Sequence, residues 1–215
     1  TVTRPGVTNP TRRRYRTSAE NDMKRHKLQG ITLIEVLVGI TIVAILTSIA
    51  TPSFTALLNV NRLATQANDI LGALTISRSE AIRLNKRVVF CRSDDGTSCA
   101  AGGGNWQGWL VFADNNGNDM PDAGEILRTG TIASSSIVVQ GSPAISVQNN
   151  RVQTGADGFA RSAPGSSNAL LQARLSVCIA TSSPEQNTRE IRITAGGHAV
   201  IVPVNNGGEC PSPSN

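Results

Sequence analysis

Residues 30–52 read GITLIEVLVGITIVAILTSIATP, and the reading of this stretch decides the fold. A glycine is followed by an apolar run, Ile31 to Ala50, that holds a single carboxylate, Glu35. A helix of about 20 residues spans roughly 30 Å, the thickness of a bilayer's hydrocarbon core. A charge at that depth costs roughly 2.5–3.5 kcal/mol on insertion scales, so a carboxylate held there is expected to have a use. The apolar residues show no single face, which argues against a helix buried in a soluble domain. The flank Lys24-Arg25-His26-Lys27 is positive, which predicts that it stays cytoplasmic and that everything after Ala50 lies outside. A secretory signal has a short apolar core followed by a small-x-small cleavage site. Here the run is long, and the glycine suited to cleavage precedes it.

Charge is divided unevenly along the 215 residues. Residues 1–30 carry eight Arg/Lys against Glu20 and Asp22, a net +6. Residues 31–215 carry twelve Arg/Lys against thirteen Asp/Glu, a net −1. Residues 1–30 read as a basic leader, and cutting between Gly30 and Ile31 removes the basicity while keeping the apolar helix. The nearly neutral remainder argues against bulk nucleic-acid binding, which draws on many cationic contacts to phosphate.

The order of a basic leader, Gly30, Ile31, Thr32, Leu33, Ile34, Glu35 and an apolar helix resembles the type IV prepilin signature. Pro52 falls where such pilins often carry a proline. Two departures stand out: Ile31 replaces the usual Phe, and a leader of about thirty residues is long. The resemblance implies a prepilin peptidase/N-methyltransferase that cleaves after Gly30 and methylates the amine of Ile31. It also implies that Glu35 pairs with the terminal amine of a neighbouring subunit during assembly, with pairing to the chain's own Ile31 amine as the alternative.

Past the apolar run, residues 53–86 keep a helical period, with Leu57, Val60, Ala64, Ala67, Leu71 and Leu74 forming the expected packing stripe. Pro52 lacks a backbone donor, and a kink is expected there. Beyond Lys86 short β-favouring runs alternate with turn residues. The strands expected are Arg87–Cys91, Trp109–Ala113, Glu125–Arg128, Ile137–Gln140, Arg174–Ala180, Arg189–Thr194 and His198–Val202. Ala195-Gly196-Gly197 suggests a hairpin between the last two. Gln148 to Asn168 reads as a polar loop, and Asn205 to Asn215 as a surface tail. With four Phe, two Trp and one Tyr, the core must be largely aliphatic.

Four cysteines, Cys91, Cys99, Cys178 and Cys210, all lie past the apolar run and form no CxxC pair. In an exported domain an even count reads as two disulfides, with four free thiols as the alternative. Three connectivities are open; adjacency along the chain favours Cys91–Cys99 and Cys178–Cys210.

The string from Gly104 through Trp106, Gly108, Trp109, Phe112, Asp114 and Asn116, followed by Glu125-Ile126-Leu127-Arg128, is similar to the domain of GspH/FimT-type minor pilins and pseudopilins. The likeness covers about Gly30 to Val202. It implies an α+β fold, a long spine helix packed on antiparallel β-sheets, with 31–52 transmembrane, 53–86 the periplasmic part of the spine and 87–215 the β-rich domain. It further implies a single-pass inner-membrane protein with a periplasmic domain, which joins other pilins in a fibre of a type II secretion system or a type IV pilus. No cofactor is expected.

Three other chemistries compete. Asp114, Asn116, Asn118, Asp122 and Glu125 occupy calcium-ligand spacings 1, 3, 5, 9 and 12, but the sixth position is Asp119, where an EF-hand places Gly. Some FimT-type members bind DNA in transformation through a Gly-Arg-x-Arg motif; the corresponding place here is Gly197-His198-Ala199-Val200, without either arginine. Arg189 and Arg192 are nearby but three apart, so they face opposite sides of a strand. Enzyme chemistry lacks a reactive cluster: His198 and Lys86 are the only histidine and lysine after the leader, and Gly102-Gly103-Gly104 lacks the Lys-Ser/Thr of a phosphate loop.

Overall fold

The computed structural model describes residues 30–162 and 169–215; the side chains of residues 49–53 are not described. The leader lies outside the described residues except for Gly30, as do the Pro52 side chain and residues 163–168 of the polar stretch. The described chain divides into two compact units, one ending at Ala44 and the other running Ile45–Asn215.

Helix α1 (Leu33–Leu84) passes through the apolar run without interruption. From Ile31 to Ser48 every residue is exposed, with Ile31 at 74% and Leu33 at 81%. The apolar turns of α1 described with their side chains stop at Ser48, and among the described residues no helix is long and apolar enough to cross a membrane. The C-terminus of α1 is a Schellman closure: Asn85 takes φ 51°, its N–H bonds the Ile82 carbonyl, and the Lys86 N–H bonds that of Ala81. An asparagine tolerates this left-handed turn and so stops the helix where the β-rich segment begins.

The packing stripe of α1 differs from the expected one. Leu63, Gln66, Ala67, Ile70, Ala73, Leu74, Ser77 and Ala81 are buried, whereas Leu57 is 55% exposed and Val60, Ala64 and Leu71 are only half-buried. The buried face is rotated toward small residues. Ala67, Ala73, Ser77 and Ala81 let the sheets approach the helix closely, a criterion that counting large apolar side chains misses.

Two antiparallel sheets follow. The first contains β1 (Arg87–Arg92), β2 (Gly108–Asp114), β3 (Ile126–Thr131), β5 (Arg151–Thr154) and β6 (Ala160–Arg161), in the order β3-β2-β1-β5-β6. The second contains β4 (Ile137–Gly141), β7 (Ala173–Ile179), β8 (Thr188–Ile193) and β9 (Ala199–Val204), in the order β4-β7-β8-β9. A short α2 (Pro143–Ser146) precedes β5. Seven strands coincide with the expected runs. β5 and β6 do not: they arise within the stretch expected as a loop. Arg151-Val-Gln-Thr has one apolar side chain and no clear alternation; β1 captures it through register pairs such as Phe90 with Val152.

The main core joins α1 to both sheets through Ile70, Phe90, Val111, Val139, Leu175 and Ile191, with Trp106 and Trp109 beside Phe90. Val89, Leu110, Phe112 and Cys91 form a smaller cluster on the opposite face of the first sheet, with Cys99 packed against it. This explains why β2 is buried along its whole length. Disulfides join Cys91 to Cys99 and Cys178 to Cys210. The tail is held in place: besides Cys210, Asn206 bonds Asn187 and Thr188, Ser212 bonds Gln140, and Asn215 accepts the Ala144 N–H at 2.8 Å.

Candidate functional site

The amino-terminal element is built by a cap. Thr32 sits immediately before α1, and its Oγ1 accepts the Glu35 N–H at 3.3 Å, alongside its own carbonyl at 3.1 Å. Thr-x-x-Glu is the spacing of a capping box, and Glu35 stands in the first turn, where a carboxylate complements the helix dipole. Thr32 and Glu35 therefore serve the start of the helix as well as any assembly role, a signal legible in the Thr-x-x-Glu spacing of the sequence. Gly30 and Ile31 precede the helix as exposed, non-helical residues, a geometry open to a processing enzyme.

The acidic loop after β2 is organised around a guanidinium. Arg87 and Asp114 are register partners, and Arg87 donates to the buried Asp114 carboxylate and to Asp119 Oδ1 at 2.9 Å. Asp114 also accepts from the N–H groups of Gly117 and Asp119. Burial raises its pKa, but the Arg87 hydrogen bond and the two backbone donors outweigh burial and hold it below the ordinary value. Asp119 takes φ 59°, so the loop does make the left-handed turn for which an EF-hand uses Gly. Other oxygens of the loop are engaged as well. Glu125 accepts the N–H groups of Asn115 and Asp122, and Asp122 accepts the side-chain amides of Asn116 and Asn118. The five calcium candidates are thus brought into one loop but point at Arg87, backbone and amides. Among the described residues, no group of three or more His, Cys, Asp or Glu could hold a metal.

The β8–β9 turn is a tight hairpin closed by the Thr194 N–H to the His198 carbonyl at 2.8 Å. Gly197 takes φ +73°, and a β-carbon there would collide with the Gly158 carbonyl oxygen, which leaves no room for a side chain. Arg78 of α1 donates to that same Gly158 carbonyl at 3.2 Å and contacts His198 Nδ1 at 3.4 Å. The place of the DNA-binding motif is therefore a turn held against the helix. Arg192 pairs with Glu190 at 2.6 Å, while Arg189 donates to the Gln186 and Thr188 carbonyls on the other side of the strand. Burial lowers the Arg189 pKa.

A capped apolar helix with a first-turn glutamate, leading into two antiparallel sheets packed on its later turns, defines a type IV pilin-like subunit. Residues 66–197 match the family described as Type II transport protein GspH, and residues 25–51 match the prokaryotic N-terminal methylation motif. The chain belongs to the GspH family, a family of minor pilins and pseudopilins. Among solved structures, the minor pilin FimU of Pseudomonas aeruginosa is similar at 14% identity and TM-score 0.48, covering 66% of this chain and 90% of that one. The minor pseudopilin EpsH of the Vibrio cholerae Type 2 Secretion System is similar at 10% identity and TM-score 0.44, covering 66% and 97%. No curated protein matches the sequence.

Proposed function

We propose that this chain is a minor subunit that enters a short periplasmic pilus-like fibre, serving type II secretion or a type IV pilus. A prepilin peptidase/N-methyltransferase cuts between Gly30 and Ile31 and methylates Ile31. The helix from Ile31 holds the subunit in the inner membrane in a single pass, with the domain in the periplasm. Glu35 then pairs with the terminal amine of a neighbouring pilin. The observation that carries this reading is the methylation motif lying directly ahead of a GspH domain, with apolar side chains exposed on every side of the helix. Such a surface is covered only by lipid or by other apolar helices.

The intact mass of the membrane-extracted protein tests the processing: it should begin at Ile31 with one added methyl group. Because Glu35 also holds the third helical position of a capping-box spacing, assembly needs two variants. Glu35→Gln keeps an amide able to cap but removes the charge; Glu35→Ala removes both. Both should be cleaved normally and fail to co-purify with other pilins. Normal incorporation of Glu35→Gln would reduce the residue to a cap.

A further inference from the structure

Among the described residues the outer edges of the two sheets are β3, β6, β4 and β9, and all but β3 are closed. On β6, Ala160 turns outward and is bonded by Ala195 and Leu171. On β4, the Val139 carbonyl takes the Trp106 N–H at 3.0 Å. On β9, the bond from the Thr194 N–H to the His198 carbonyl sets the alternation, so Val200 and Val202 face β8 and Pro203, which has no N–H, falls on the free side. β3 has no such device. The Ile132 N–H bonds the Gln107 carbonyl at 2.9 Å, so by the same alternation Gly130 and Arg128 face β2, and Thr129 and Thr131 turn their N–H and C=O groups away from it. Both threonines are exposed, and among the described residues neither backbone is bonded on that side. Outward donors and acceptors at a strand's period are a template for another strand.

We propose that β3 takes up an extended segment of a different polypeptide as a further antiparallel strand, with a large apolar side chain opposite Gly130. The proposal rests on the reading of the chain as an assembling subunit. Gly130 is the register partner of Trp109, so a residue set opposite it from outside lies on the face of the sheet that packs on α1. A groove of about 400 Å³ runs there between the β3 edge and α1, with Asp69, Gly72, Trp109 and Arg128 in its lining. Gly130 and Gly72 carry no side chain into it, and a β-carbon at Gly72 would meet nothing within 4 Å. The groove holds one charge of each sign, Asp69 and Arg128, so charge does not select a phosphate or a nucleic acid; the backbone of the edge selects a strand. A second copy of this chain does not suit it. A two-fold axis that extends a sheet by antiparallel pairing stands perpendicular to the sheet and reverses a helix packed along its face. The packed turns of α1 would then lead toward the membrane in opposite directions in the two copies, which a single bilayer does not permit.

The test follows amide hydrogen exchange in the ¹⁵N-labelled full chain in zwitterionic micelles, with acetyl-Lys-Thr-Ser-Thr-Leu-Thr-Ser-Thr-Lys-amide as the probe. The Thr129 and Thr131 amides should exchange fast in the free chain and slow saturably with peptide, while those of Arg128 and Gly130, already bonded to β2, should not change. N-methylating either threonine beside the leucine removes a donor aimed at β3 and should weaken binding by about tenfold. N-methylating the leucine, whose N–H points away, should leave binding intact. Replacing the leucine by glycine should weaken it by about fivefold. Thr129→Pro removes an outward N–H and should abolish the slowing at Thr131; should that variant not fold, the N-methylated peptides decide. No slowing at Thr129 and Thr131, equal binding of the differently N-methylated peptides, or equal binding of the glycine peptide overturns the proposal. So does protection of Thr129 and Thr131 that rises with the concentration of the chain alone, which would make the occupant a second copy. Failure here is separable from failure of the subunit reading: if folded Thr129→Pro enters the fibre as well as wild type while Glu35→Gln does not, only the edge proposal falls.

Discussion

Arg87 and Asp114 face each other across the β1–β2 register, and the guanidinium of one fills the space at the mouth of the acidic loop where the other's carboxylate converges with that of Asp119. The Asp114 side chain is wholly buried, and that of Arg87 is a quarter exposed. The pair therefore organises the loop as an internal cation would.

Arg87→Ala leaves the buried Asp114 charge without its partner. Breaking a buried pair costs roughly 3–5 kcal/mol, and partial exposure of Arg87 places the expected loss near the lower end. Urea unfolding should report it. The acid branch follows from the same pair. Because the folded Asp114 pKa lies below the ordinary 3.8, the unfolded chain binds the proton more readily. The stabilisation is complete above 3.8 and is lost as pH falls through the folded value. Asp114→Asn should be less stable near neutrality and should show a shallower loss of stability on acidification.

The rotated stripe on α1 makes Ile70 and Leu57 a sharp comparison. Ile70 is fully buried against both sheets, and Ile70→Ala should cost about 2–5 kcal/mol. Leu57→Ala removes an exposed side chain and should change stability by less than about 0.5 kcal/mol. Thermal unfolding of the two variants decides between the observed stripe and the one expected from spacing.

Gly130 lies directly against the indole of Trp109, so a β-carbon there collides with the ring. Gly130→Ala should destabilise by roughly 1–3 kcal/mol, since Trp109 is packed in the core and has little room to yield. Tryptophan fluorescence should shift together with the melting temperature; an unchanged spectrum with unchanged stability would contradict the packing described.

The disulfides differ in span. Cys178–Cys210 is separated by 32 residues and ties the tail to β7, whereas Cys91–Cys99 is separated by 8. By loop-closure entropy, opening the first should cost roughly 4 kcal/mol and the second roughly 2.5 kcal/mol. Paired Cys→Ser variants compared by urea unfolding test the order: the Cys178/Cys210 variant should be the weaker.

The sequence by itself determined the start of the spine helix, its apolar first part with Glu35 in the first turn, the change to short strands at Lys86, and the seven strands carried by β-favouring runs between turn residues. These are local properties, set by period, caps and turn residues, and they act wherever the chain lies. Tertiary structure alone decided which face of α1 is buried, because that depends on how closely two sheets can approach Ala67, Ala73 and Ala81. It also decided that Arg151–Thr154 is a strand, since a weakly patterned segment pairs only when an open edge such as that of β1 is presented to it. The five acidic-loop residues could be found in the sequence, but Arg87, 27 residues before Asp114, could not. Only the β1–β2 register sets its charge among theirs, because pairing over such a separation is fixed by the fold and not by spacing.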